Sequence, residues 1–96
     1  MTRSQQQNKL YHELCSQLKT HSVIKIYDGR FEQAGISNPI VFRPSAFSYD
    51  TFRELCKGCD ISYPKDDQGR PLSSTKINVK QMNSHIMFLE CLLSEY

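Results

Sequence analysis

The chain has 96 residues, 39% of them hydrophobic and 10% aromatic, which suits one small domain over residues 1–96 and excludes a disordered chain. The net charge of +2 is too small to identify a partner by itself. No apolar run approaches a membrane span and the amino terminus is too polar for a secretory signal, so we expect a cytoplasmic protein without a membrane partner, its four cysteines reduced.

The first predicted element is an amphipathic helix from residue 5 to about Lys19. Ser4 followed three residues later by Gln7 is typical of a capping box, in which two side chains satisfy backbone amides at a helix start. The apolar residues then recur at spacings of three and four, which puts them on one helical face. This face consists of Leu10, Tyr11, Leu14, Cys15 and Leu18.

Residues 23–34 are predicted to form a β-hairpin. Asp28-Gly29 is a two-residue turn sequence, because a type I′ turn requires positive φ at both central positions. The cross-strand pairs would be Ile26 with Phe31 and Lys25 with Glu32. A short third strand over residues 40–43 would extend the sheet.

The next predicted element is a helix over residues 49–57. Ser48 would cap its start, and Gly58 would take the left-handed position just after its end. Its inner face would be formed by Tyr49, Phe52, Leu55 and Cys56. A long polar loop over residues 60–72, either mobile or functional, would lead to the last helix.

The last helix, Val79–Leu93, is the longest apolar-periodic segment. Asn78 and Gln81 form a second capping box at its start. The expected fold class is α+β: a helix, then a three-stranded antiparallel sheet made of the hairpin and one further strand, then two helices packed on the sheet.

Two short-spaced pairs, His12 with Cys15 and Cys56 with Cys59, have a spacing compatible with a tetrahedral zinc site. Cys15 and Cys56 also fall on apolar helical faces, where a cysteine acts as a small hydrophobic residue. We therefore predict neither metal nor cofactor and keep this zinc set as the alternative. Because no catalytic motif or nucleophile pairing is present, we expect that the protein is not an enzyme.

Residues 68–80 carry three cations and no carboxylate. Hydroxyls, ammonium groups and the amides of a helix start together make a favourable phosphate site. The alternative is that Ser74, Thr75 and Asn78 only shape the loop and cap the helix. Tyr11 or Tyr63 could stack on a base, but the preferred interpretation of both is a buried or a surface-only role.

The segment from Arg3 to Tyr11, RSQQQNKLY, resembles the helical opening R-S-x-x-Q-N-x-x-L-[WY] of the phage NinB proteins, also called Orf recombination proteins. Residues 47–58 resemble the second helix of that family. The most similar part is residues 69–93: a Gly, a Ser-Thr motif, a polar cap, Lys-Gln-Met, and an amphipathic helix ending in Leu-Leu.

This resemblance implies a non-catalytic phage recombination accessory protein in the host cytoplasm. It would bind single-stranded DNA, form a homodimer and help to load a recombinase onto strands coated with single-strand-binding protein. The residues expected to bind DNA are Arg3, Asn8, Lys9, Arg70, Ser74, Thr75, Lys76 and Lys80. The alternative is a small phage-borne protein that binds and inhibits a host protein, such as a nuclease or an immune complex.

Overall fold

The computed structural model describes residues 5–29, 33–36 and 38–96. The elements in this part of the chain are helix α1 (Gln5–Lys19), strands β1 (Ile24–Ile26) and β2 (Ile40–Phe42), helix α2 (Tyr49–Cys59) and helix α3 (Val79–Leu93). Short 3-10 turns at Pro44–Ala46 and Ser74–Lys76 precede α2 and α3. The predicted α+β class is confirmed. None of the described helices is both long enough and apolar enough to cross a membrane.

Helix α3 begins where the sequence predicts, with a complete capping box. Asn78 Oδ1 accepts a hydrogen bond from the Gln81 amide at 2.8 Å, and Gln81 Oε1 accepts one from the Asn78 amide at 2.9 Å. Both amides would otherwise lack a partner within the helix. The Ser48 hydroxyl caps α2 by accepting from the Thr51 amide at 3.2 Å. The predicted cap at Ser4 lies outside the described residues.

The sheet differs from the predicted one, because it has two strands rather than three within the described residues. Strand β1 pairs antiparallel with β2, placing Ile24 opposite Phe42, Lys25 opposite Val41 and Ile26 opposite Ile40. The strand predicted third is therefore the direct partner of the first. Phe31 and Glu32, the partners expected for Ile26 and Lys25, lie outside the described residues.

The prediction of a two-residue turn at Asp28-Gly29 is wrong. Gly29 has a helical backbone without a positive φ, and Asp28 is 1% exposed rather than on a turn surface. A Cβ atom on Gly29 would lie 2.8 Å from Ile61 Cβ. Glycine is therefore required by the close approach of a distant segment, which a local turn pattern does not reveal.

Helix α2 continues two residues beyond its predicted end. Gly58 is inside the helix and does not adopt the left-handed conformation. The helix is closed by Asp60, whose amide donates to Cys56 O at 3.2 Å. Cys59 and Asp60 are both buried, so tertiary packing stabilises a last turn that the local sequence does not favour.

One core lies between the three helices and the inner side of the sheet. Its buried apolar side chains are Tyr11, Leu14, Cys15, Leu18, Ile24, Ile26, Phe52, Cys56, Cys59, Tyr63, Ile77, Met82, Ile86, Leu89 and Leu92. The predicted helix faces are confirmed in large part, but the buried face of α1 is shifted. Leu10 is 41% exposed, whereas Gln7 is buried.

Residues 60–72, predicted as a long polar loop, are held by local hydrogen bonds. The Asp66 amide donates to Arg70 O at 2.8 Å, and Asp66 Oδ1 accepts from the amides of Gln68 and Arg70, each at 2.9 Å. The bond from the Arg70 amide is the main reason that the pKa of Asp66 lies below its ordinary value. Gly69 turns the chain with a φ of 79°.

Candidate nucleic-acid interface

Helices α1 and α3 lie side by side with their amino termini at the same end of the molecule. Near these termini, Gln7 Nε2 donates to Val79 O at 2.9 Å and to Asn83 Oδ1 at 2.7 Å. Past the other ends of the helices, the rings of His21 and Tyr96 are 4.8 Å apart. Because the amino terminus of a helix carries partial positive charge, two adjacent termini favour an anion.

Three cations predicted to bind DNA follow or precede these helix starts: Lys9 on α1, Lys76 before α3 and Lys80 in its first turn. All three are exposed, and none of them forms an ion pair with another described residue. We refer to these three lysines as the basic end. Asn8, beside Lys9, is half-buried.

The hydroxyl groups before α3 also shape their own loop. Ser73 Oγ accepts from the Thr75 amide at 3.4 Å and lies 3.0 Å from Thr75 Oγ1. Ser74 is half-buried, and the side chain of Asn78 is used in the capping box. The loop-shaping interpretation is therefore supported, and the capacity of this loop to bind an anion depends mainly on its lysines.

Arg70 differs from the three lysines because its guanidinium has hydrogen-bond acceptors from neighbouring side chains. Its guanidinium donates to Gln68 Oε1, and its Nε lies 3.9 Å from Asp66 Oδ2. Such an exposed pair is weak, but the nearby carboxylate still opposes a phosphate. Arg70 is therefore a weaker anion partner than Lys76 or Lys80. Arg3 lies outside the described residues.

The tyrosines proposed for base stacking are inside the core. Tyr11 is 0% exposed and Tyr63 is 2% exposed. The Tyr63 hydroxyl donates to Leu72 O at 2.8 Å, which satisfies its polar end. Neither ring can reach a base, so the stacking prediction is wrong and the burial alternative is correct.

The zinc alternative has no assembled ligand set. Among the described residues, no three His, Cys, Asp or Glu side chains lie close enough together to hold a metal ion. Cys15 and Cys56 are buried core thiols, as the apolar pattern predicted, and Cys59 is buried as well. The His12 ring contacts a tyrosine instead: its Nδ1 lies 2.9 Å from the Tyr49 hydroxyl oxygen.

A buried pair of Asp60 and His85 was not predicted. His85 Nδ1 donates to Asp60 Oδ2 at 2.8 Å, while Asp60 Oδ1 accepts from the amide and hydroxyl of Ser62 at 2.9 and 2.6 Å. His85 is 0% exposed, so its ring is inaccessible to a substrate and the pair is structural. The one sequence feature that indicates burial is the position of His85 on the apolar face of α3, three residues after Met82.

Two surface depressions border the exposed side of α1. The first has a volume of about 440 Å³ and is lined by Lys9, His12, Glu13, Ser16 and Gln17. The second has a volume of about 490 Å³ and is lined by Lys19, Thr20, His21, Ser22, Val23, Arg43 and Ser45. The second depression was missed because Lys19 and Arg43 are far apart in the sequence and only the fold brings them together.

Comparisons of the chain with protein-family models, with curated proteins and with solved structures found no match. The resemblance to phage recombination proteins therefore rests on the short sequence motifs alone.

Proposed function

We propose that this chain is a non-catalytic protein that binds single-stranded DNA through its basic end. The observation that carries the proposal is the bonding of Gln7 to α3, which holds the starts of α1 and α3 against each other, at the end of the molecule where Lys9, Lys76 and Lys80 lie. Ammonium groups beside the amino terminus of a helix bind phosphates without reading base edges. Lys9, Lys76 and Lys80 are the phosphate contacts in this proposal, with Asn8, Ser74 and Thr75 as neutral neighbours.

Three phosphate contacts give modest affinity with a definite salt dependence. For a single strand, the slope of log K against log salt is about −0.7 per phosphate contact, so the basic end of one chain predicts a slope of about −2. A homodimer would bring a second basic end and about double this slope. The preference for single strands, the dimer and a role in recombinase loading all derive from the resemblance to phage recombination proteins.

A second candidate function is the binding of a host protein. It is favoured by apolar side chains on the outward side of the sheet, where Val41 is 58% exposed and Tyr27 is 41% exposed. Lys25 lies opposite Val41 on the same side. An inhibitor of a nuclease or an immune complex would use such a mixed apolar and charged surface.

The test of the DNA proposal is fluorescence anisotropy with a labelled thymidine oligonucleotide, titrated at salt concentrations from about 50 to 200 mM. We expect binding that weakens with salt and exceeds binding to a duplex of the same length. Lys80→Gln should weaken binding several-fold and reduce the salt slope by about 0.7. No binding at the lowest salt would overturn the proposal and favour the search for a protein partner.

The matched control is Lys25→Gln. It removes the same charge from an exposed position on the sheet, away from the basic end. If the two variants weaken binding equally and change the slope equally, the interaction depends on net charge alone and the basic end is not a defined site.

A further inference from the structure

The second depression beside α1 has the composition of an anion site. Two cations line it, Lys19 and Arg43, together with three hydroxyl-bearing residues and no carboxylate. Within the described residues, neither cation forms an ion pair. The Thr20 hydroxyl is occupied, because it donates to Gln17 O at 2.6 Å, so Ser22 and Ser45 are the hydroxyls that remain as donors. We call this depression the Arg43 pocket.

An aromatic pair adjoins the Arg43 pocket. The ring of His21, which lines the pocket, lies 4.8 Å from the ring of Tyr96 at an interplanar angle of 33°. The Tyr96 hydroxyl accepts from the Lys25 amide at 2.6 Å, which fixes the ring against β1. Tyr96 is 48% exposed. A phosphate in the pocket would therefore lie near the fixed and exposed ring of Tyr96. A phosphate site next to an exposed aromatic ring can bind a nucleotide.

The basic end and the Arg43 pocket are joined by one side of α1. Lys9 and Lys19 are ten residues apart, which corresponds to about 15 Å along a helix. The first depression, with Ser16 and Gln17, occupies the interval between them. Its one carboxylate, Glu13, is the feature that opposes a polyanion along this path.

We propose that the Arg43 pocket binds the phosphate of a nucleotide, and that a single strand held at the basic end runs along α1 into this pocket. The guanidinium of Arg43 offers paired donors to phosphate oxygens, and Lys19 adds a second positive charge. The adjoining base stacks on the exposed face of the Tyr96 ring, which His21 contacts from the other side. This inference rests on the proposed function for the strand, but the pocket itself is tested with a mononucleotide.

The experiment is an NMR titration of the ¹⁵N-labelled chain with thymidine 5′-monophosphate, and with thymidine as the ligand that lacks phosphate. We expect shifts at the amides of His21, Ser22 and Ser45 with the monophosphate and not with thymidine. Arg43→Gln should weaken this binding about tenfold, and adding Lys19→Gln should abolish it. Arg70→Gln, which removes the same charge from an exposed position that does not line the pocket, should leave it unchanged.

Anisotropy with the thymidine oligonucleotide then separates the two proposals. If Arg43→Gln weakens oligonucleotide binding and Glu13→Gln strengthens it, the path along α1 is supported. If the oligonucleotide binds the unmodified chain and Arg43→Gln equally well, and the monophosphate leaves the pocket amides unshifted, the pocket inference is overturned while the basic end stands. Monophosphate binding in the pocket without oligonucleotide binding would support the pocket and overturn the proposed function.

Discussion

The carboxylate of Asp60 is buried and hydrogen-bonded, so its ionisation is coupled to folding. Burial alone raises the pKa of Asp60, but the hydrogen bonds from His85 and Ser62 outweigh it and hold the pKa below its ordinary value. A carboxyl in the unfolded chain titrates near pH 4. The stabilisation is therefore complete above that pH and is lost as the pH falls through the lower folded-state pKa.

We predict that Asp60→Asn lowers the free energy of unfolding by about 2–3 kcal/mol near neutral pH, because it leaves the buried His85 without its anionic partner. The difference from the unmodified chain should shrink below about pH 4, because Asp60 is protonated first in the unfolded chain and, at lower pH, in the folded chain. Urea unfolding across this pH range measures both effects. Asp67→Asn, at an exposed position nearby, is the control and should change stability little. A difference that stays constant down to low pH would contradict the account.

At the scale of elements, two glycines have roles that differ from their sequence patterns. Gly58 continues α2 instead of ending it, and a Cβ there would meet nothing within 4 Å. Gly29 lies against Ile61, where a Cβ would come within 2.9 Å of both Cβ and Cγ2. The same substitution should therefore have opposite effects at the two positions.

We predict that Gly58→Ala stabilises the protein by about 0.5–1 kcal/mol, since alanine loses less conformational freedom in a helix. Gly29→Ala should destabilise it by about 1–3 kcal/mol, because the chain must move away from Ile61. Urea unfolding monitored by circular dichroism measures both values. Equal and small effects would show that Gly29 does not approach Ile61 as closely as described.

At the scale of the whole molecule, the reactivity of the four cysteines shows how well the core excludes solvent. Cys91 is exposed on α3, whereas Cys15, Cys56 and Cys59 are buried where the helices meet. Burial raises the pKa of Cys15 to about 11 and also raises that of Cys56. Since the thiolate is the reactive form, Cys15 and Cys56 are protected both by exclusion of reagent and by protonation, and Cys59 is protected by exclusion of reagent.

We predict that a thiol reagent labels Cys91 rapidly in the native chain and labels the other three only as the core opens. The labelling rate of those three should rise with urea in parallel with unfolding. Cys91→Ala should remove the rapid phase and serves as the control. Rapid labelling of more than one cysteine in the native chain would mean that α1 and α2 separate readily.

Some features of the proposed DNA site were predicted from local sequence, and others depend on contacts between distant segments. Lys76 and Lys80 were predicted because they flank a recognisable helix start, and Lys9 because it belongs to the Gln-Asn segment of the resemblance. Asp66, the carboxylate neighbour of Arg70, is only four residues away, so that pair was within reach of the local sequence. That Arg43 and Lys19 line one depression depends on how the chain folds back on itself, and local spacing does not show it.

By itself, the sequence determined the elements whose causes are local. The period of the apolar residues and the side-chain caps at Ser48 and Asn78 depend on neighbours a few residues away, so the helices were predicted to within two residues at their ends. Only the tertiary structure decided which strand pairs with β1, why Gly29 is a glycine and that Asp60 meets His85. These depend on contacts between distant segments, whose energy outweighs the local preference of the chain.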